Sequence, residues 1–342
     1  MHRELAQKPA AEAINIEQWL SRATLDIIGL AGSGQDFRTI AKPDSEISST
    51  YRKAFEFNRT GQILGVLGLF IKPKFLQSLP FRYNIYADKA QSLIRSVSFD
   101  LIQGKKQTIK KIPDHGRDII SIALKSGGFT DENLIDQMMT FIAAGHETTA
   151  TAATWTIYEL CRQSDCQRQL REEIHAAYPS MDDMVDASQL ESLPYLLAVC
   201  NETLRHNPPV PITLRDTLED CTIADTFVPR KTKIAVSPGA VNFSHELWGP
   251  DAADFKPSRW LEPGKINTGG AESNYAMLTF LHGPRGCIGQ SFSRAELLCI
   301  IAALIGKFEF KLQDEQEVGL RGGLLSKPKG GMSVKMKVVE GW

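Results

Sequence analysis

The stretch that most constrains this chain is residues 280–289, FLHGPRGCIG. Cys287 sits between Gly286 and Gly289, Arg285 precedes it by two positions, and Gly283 and Pro284 favour a tight bend upstream. Directly after it comes an apolar run, residues 290–304 (QSFSRAELLCIIAAL), with the pattern of a helix. A cysteine just ahead of a helix meets free backbone N–H groups and the positive end of the helix dipole, and both favour its thiolate. Such a thiolate is a nucleophile or a metal ligand. The flanking glycines remove side chains and let a flat, bulky group approach the backbone. An ordinary buried cysteine before a helix is the plainer alternative, and the other motifs of the chain weigh against it.

A haem meets all three demands: iron for the sulfur, a wide face for the glycines, and propionates for Arg285. A second constellation lies in residues 130–162, the longest helical pattern, which runs without a proline. Thr130 can cap it, with Asp131 and Asn133 in the first turn. Its middle reads Ala144-Gly145-His146-Glu147-Thr148-Thr149. Glycine and threonine are weak helix formers, so the segment reads as a local opening of the helix. The competing reading is a polar patch on an amphipathic helix. A zinc-protease HExxH is excluded, because Ala150 occupies the second histidine position.

The pattern Phe-x-x-Gly-x-Arg-x-Cys-x-Gly, met by Phe280, Gly283, Arg285, Cys287 and Gly289, resembles the haem-binding signature of the cytochrome P-450 family. Residues 144–149 resemble its oxygen-activation motif, which implies that Ala144 and Gly145 make room for O2, Thr148 hydrogen-bonds to bound oxygen and Glu147 relays protons. Glu202-Thr203-Leu204-Arg205 gives an E-x-x-R, and Phe255, Pro257, Arg259 and Trp260 give F-x-P-x-R-W. Glu202 and Arg205 share a helix face. The resemblance implies that they form a buried structural lock with Arg259 behind the haem loop. It runs from about residue 14 onward and is strongest to fungal microsomal members. It implies a mainly α (α+β) fold, a helical bundle with small β-sheets, as a single domain over residues 1–342.

The implied function is a haem-thiolate monooxygenase that inserts one oxygen atom from O2 into an apolar organic substrate, in fungal secondary metabolism. Haem would have Cys287 as its axial ligand, Arg285 and Arg215 at its propionates, and residues 210–214 beside the substrate. Electrons would come from NADPH through a reductase. The resemblance also implies an anchor and first helices and strands ahead of residue 1, and a place at the endoplasmic reticulum surface with peripheral membrane contact. A chain complete as given would instead be cytoplasmic. The alternative function is a non-catalytic haem-binding remnant or an inactive fragment.

Composition sets outer limits. The net charge of −1 over 342 residues offers no bias towards nucleic acid. The cysteines, at 161, 166, 200, 221, 287 and 299, show no CxxC or metal-finger spacing, which argues for a reducing compartment. The sequons at Asn58, Asn201 and Asn242 read as chance matches. The apolar runs at 63–71 and 297–305 are shorter than the roughly 20 residues that span a bilayer. Further helices are expected over 14–31, 45–60, 86–101, 195–206 and 239–244. Residues 62–80 read as an apolar segment broken by prolines, and 105–111 as a basic linker. A strand pair is expected over 222–234 with Pro229 at its turn, a polar loop over 263–274, and strands over 308–312 and 333–339 around a Gly-rich turn at 319–329.

Overall fold

The computed structural model describes residues 1–9, 12–55, 59–68, 71, 73–111, 116, 118–180, 187–265, 268–314, 318–321 and 323–340. The chain begins with α1 (His2–Leu5), β1 (Ile14–Asn15), α2 (Ile16–Ser33), α3 (Glu46–Phe55), α4 (Arg59–Leu67), α5 (Pro73–Gln77), α6 (Arg82–Lys111) and α7 (Ile119–Ser126). It continues through α8 (Asp131–Arg162), α9 (Ser164–Ala177), α10 (Ala187–Glu191) and α11 (Pro194–His206). The strands β2 (Thr213–Asp216), β3 (Cys221–Ile223), β4 (Thr226–Val228) and β5 (Lys233–Val236) follow. After α12 (Pro238–Asn242) and α13 (His245–Trp248) come α14 (Gln290–Lys307), β6 (Phe308–Leu312), β7 (Leu320–Arg321), β8 (Lys327–Pro328) and β9 (Ser333–Val338). The chain forms two compact units: residues 17–150 with Met1, and residues 2–16 with 151–342.

In the first unit, apolar residues at helical spacing meet in one cluster: Leu25 and Ile28 of α2, Ile102 of α6, Ile120 of α7, and Leu134, Ile135, Met138 and Ile142 of α8. Asp26, also on α2, is buried and accepts from Thr39 N (2.7 Å) and Thr39 Oγ1 (2.9 Å), which ties down the loop after the helix. Thr130 caps α8 as expected, its Oγ1 accepting from Asn133 N at 3.2 Å. Several boundaries differ from the sequence expectation. Residues 14–15 pair with β9 instead of starting the helix. The stretch expected as one helix over 45–60 is α3 followed by the start of α4, with 56–58 outside the described residues, as is Asn58 of the first sequon. The basic stretch 105–111 is no linker but the last turns of α6. Lysine is a good helix former, and Lys105 pairs with Asp118 at 2.5 Å while Lys106 pairs with Asp131.

The second unit is built around α14, which is apolar on most faces and correspondingly buried through Leu297, Leu298, Ile300, Ile301, Leu304 and Ile305. Strands β1, β9 and β6 form an antiparallel sheet in the order β1-β9-β6, with Ile14 opposite Val334 and Phe310 opposite Met336. β2 pairs with β5 and β3 with β4. The β3–β4 turn lies at Ala224 and Asp225, whose φ values are 43° and 62°, and not at Pro229. Positive φ at both central positions is the type I′ hairpin turn, a conformation proline cannot adopt. Asn201 and Asn242 are buried (7% and 0% exposed), so neither sequon is accessible in this fold. Among the described residues, no helix is long and apolar enough to cross a membrane.

Candidate functional site

The cysteine loop rests on a buried polar network within the second unit. Glu202 of α11 is fully buried, and its carboxylate is saturated. Oε1 accepts from Arg205 Nη2 (2.8 Å), Lys256 N (2.8 Å) and Arg259 Nε (3.0 Å). Oε2 accepts from Arg205 Nε and Trp260 Nε1, both at 2.9 Å. Burial alone would push the Glu202 carboxyl up, yet the Arg205 guanidinium, the Lys256 N–H and Arg259 hold it below its ordinary value. Arg205 is also fully buried and donates to the carbonyls of Asn242 (2.8 Å), Ala252 (2.7 Å) and Asp254 (2.9 Å). The expected Glu–Arg–Arg lock is thus present and complete.

The network continues to the loop through residues that the motifs did not single out. Asn242 Nδ2 donates to Arg205 O (3.0 Å) and Thr279 Oγ1 (2.9 Å), and its Oδ1 accepts from Leu278 N (3.0 Å). Thr279 Oγ1 in turn donates to Leu204 O at 2.7 Å. Of the two residues ahead of Phe280, Thr279 is therefore bonded directly to the end of α11 and Leu278 through Asn242. The sequence marks Asn242 only as a sequon within an expected short helix, which carries no sign of this role.

From there the loop folds on itself. Cys287 N donates to Phe280 O at 2.8 Å, and Gly286 N donates to Gly283 O at 2.9 Å across a short 3-10 turn, Gly283–Arg285. Gly283 has φ of +71°, a conformation glycine adopts without penalty. Helix α14 starts at Gln290 with Gly289 as its N-cap, so the thiol stands just before a helix N-terminus, as the pattern predicts. Cys287 is exposed and Ile288 is 90% exposed. Arg285 is exposed as well, and among the described residues it makes no hydrogen bond or ion pair. Phe280 is braced from α14 by Arg294, whose guanidinium carbon lies 5.7 Å from the ring centroid. An uncommitted thiol, a flanking guanidinium and glycines on both sides fit a haem bound through sulfur.

Arg215 lies elsewhere, on β2. Its Nη1 donates to Thr213 Oγ1 and Leu214 O, both at 2.8 Å, so the guanidinium is turned back on its own strand.

In the first unit, Ala144, Gly145, Glu147 and Thr148 share one segment of α8. No local opening is seen, since Asp131–Arg162 is a continuous α-helix. The Thr148 hydroxyl donates to Ala144 O at 2.9 Å, a bond that lets threonine sit inside the helix. Glu147 and His146 are buried at 2% and 0% exposure, which rules out a solvent-facing polar patch. Gly145 has a steric reason: a Cβ there would stand 3.0 Å from Ile28 Cδ1 and Cγ1. Gly145→Val is expected to destabilise the chain by about 1–3 kcal/mol through overpacking against α2, measurable by denaturant unfolding.

Comparison with known proteins agrees with these motifs. Residues 1–336 match the Cytochrome P-450 family profile. The chain is 45% identical over 343 residues to Cytochrome P-450 monooxygenase sphH of Aspergillus fumigatus, covering 98% of this chain and 63% of that protein. It is 41% identical over 376 residues to Cytochrome P-450 monooxygenase FUM15 of Gibberella moniliformis, covering 95% and 63%. The chain thus spans a little under two thirds of the length of these curated relatives. With the lock, the cysteine loop and the α8 segment all carried in the family's order, the chain belongs to the cytochrome P-450 family.

Proposed function

We propose that this chain is a haem-thiolate monooxygenase that inserts one oxygen atom from O2 into an apolar organic substrate. The family uses haem on a cysteine thiolate, with O2 and reductase-supplied electrons. The observation that carries the reading to this chain is the exposed Cys287 thiol beside the unpaired Arg285, on a loop anchored to a saturated buried network. Haem, when bound, supplies the O–O cleavage chemistry.

Cys287 would bind the haem iron through its sulfur, and Arg285 would hold a propionate. Phe280, Gly283 and Gly289 would shape the loop around the ring. Arg215 would serve a propionate after exchanging its bonds to Thr213 and Leu214. Ala144 would leave room for O2, the space beside Gly145 being taken by Ile28, while Glu147 and Thr148 would hold and pass protons. Electrons would come from NADPH through a reductase. The substrate reading, oxidation of an apolar metabolite in fungal secondary metabolism, draws support from the fungal relatives. The single-domain reading draws support from one family profile that runs across both units. Exposed Leu67, Ile71, Phe75 and Phe81 fit peripheral contact with the endoplasmic reticulum surface. The alternative, an inactive remnant, is not favoured, because the motif residues are intact and the lock behind the loop is complete.

The test is a reduced carbon-monoxide difference spectrum of the haem-loaded chain. A red-shifted Soret band supports the reading, and no haem uptake overturns it for this chain. Thiol labelling gives a readout without turnover. Burial pushes the Cys161 thiol up to about 12 and raises Cys200 as well. Alkylation at neutral pH is therefore expected to modify exposed Cys287 and spare Cys200, and haem loading is expected to protect Cys287. Peptide mass spectrometry reads both.

A further inference from the structure

Within the first unit, Glu147 is held by a residue on another helix. The Ser21 hydroxyl of α2 donates to Glu147 Oε1 at 2.6 Å. The bond follows from how closely α2 and α8 approach here. Gly145, two positions before Glu147, allows Ile28 to pack where a Cβ would stand 3.0 Å from it. Ser21 and Ile28 are two helical turns apart, so both lie on the face of α2 turned towards α8. Thr24, on the turn between them, donates to Leu20 O (3.0 Å) inside its own helix, so Ser21 supplies the crossing hydroxyl.

The same carboxylate oxygen faces His146, whose Nε2 is 3.5 Å away. His146 Nδ1 lies 2.6 Å from Ile142 O. A carbonyl only accepts, so Nδ1 carries the hydrogen, and the ring is locked with Nε2 towards Glu147. Glu147 is thus held from α2, one residue before Thr148.

We propose that Ser21 is a positioning residue for proton delivery: by holding Glu147 Oε1 it sets the carboxylate geometry from which protons are passed to the oxygen chemistry. This rests on the function proposed above. In that chemistry O2, two electrons from NADPH, two protons and a substrate C–H give a hydroxylated product and water. Without a substrate, the electrons and protons end in peroxide or water. A misplaced carboxylate slows the proton steps in either case.

The experiment uses the full chain loaded with haem, a reductase and NADPH, without added substrate. Wild type, Ser21→Ala, Ser21→Thr, Glu147→Gln and the Ser21→Ala/Glu147→Gln double variant are compared in H2O and D2O. Haem content and the carbon-monoxide band of each variant control for folding. Ser21→Ala is expected to slow NADPH oxidation several-fold with an enlarged solvent isotope effect, and Ser21→Thr to restore both. In the Glu147→Gln background, Ser21→Ala is expected to change little further. An unchanged rate and isotope effect in a Ser21→Ala chain with a normal haem spectrum overturns the role of Ser21 alone. A wild-type chain that takes up no haem overturns the functional reading first, and the role of Ser21 with it.

Discussion

Cys287→Ser is expected to abolish the red-shifted carbon-monoxide band completely, with any haem that remains showing an ordinary Soret position. The effect follows from ligand chemistry. A thiolate donates electron density to iron in a way that a serine hydroxyl, which stays protonated at neutral pH, does not. The substitution removes one sulfur and keeps the side chain's size class, and the loop does not depend on the sulfur for its shape. Its bonds run from Cys287 N to Phe280 O and from Gly286 N to Gly283 O, all backbone. Unfolding of the haem-free variant should therefore match that of wild type, so spectral loss with unchanged stability identifies ligation. A retained red-shifted band in the variant would remove Cys287 from the metal.

Glu202→Gln should be the most damaging change to stability. It leaves Arg205 and Arg259, 0% and 6% exposed, without their shared counter-charge. Breaking a buried ion pair from one side costs about 3–5 kcal/mol, far more than most single substitutions. Because Arg205 also carries the carbonyls of Asn242, Ala252 and Asp254, the loss should spread to the loop that Asn242 supports and lower haem retention. Denaturant unfolding and haem titration check the two effects. The pH dependence has a definite sign. The folded-state pKa of Glu202 lies below its ordinary value of 4.5. Its contribution is therefore fully present above that value and is lost as pH falls through the folded-state pKa. Wild type should lose stability on acidification below about 4.5 more steeply than Glu202→Gln does.

The chemistry of the cysteine loop could be read before the fold was known, because it is local. A thiol, a guanidinium and flanking glycines within ten residues define what can bind there, and the helix that follows is set by its own apolar pattern. The E-x-x-R spacing places Glu202 and Arg205 on one helix face, but their burial with Arg259 was implied only by the family resemblance. The long helix α8 was legible from its length and its Thr130 cap.

Other features depended on which distant segments come together. Whether residues 14–15 are helix or strand is decided by β9, more than 300 positions away in sequence. The lysines of α6 read as a linker until Asp118 and Asp131 stand beside them. Thr148 could have marked an opening in the helix, but its hydroxyl found the Ala144 carbonyl instead. Asn242, Thr279 and Ser21 carry no motif of their own. Ser21 reaches Glu147 across 126 residues of chain. Their roles arise because buried polar atoms must find partners wherever packing places them. The sequence by itself determined the reactive group and the helices that present it. The tertiary structure decided which side chains hold those groups still, since that depends on contacts no local pattern encodes.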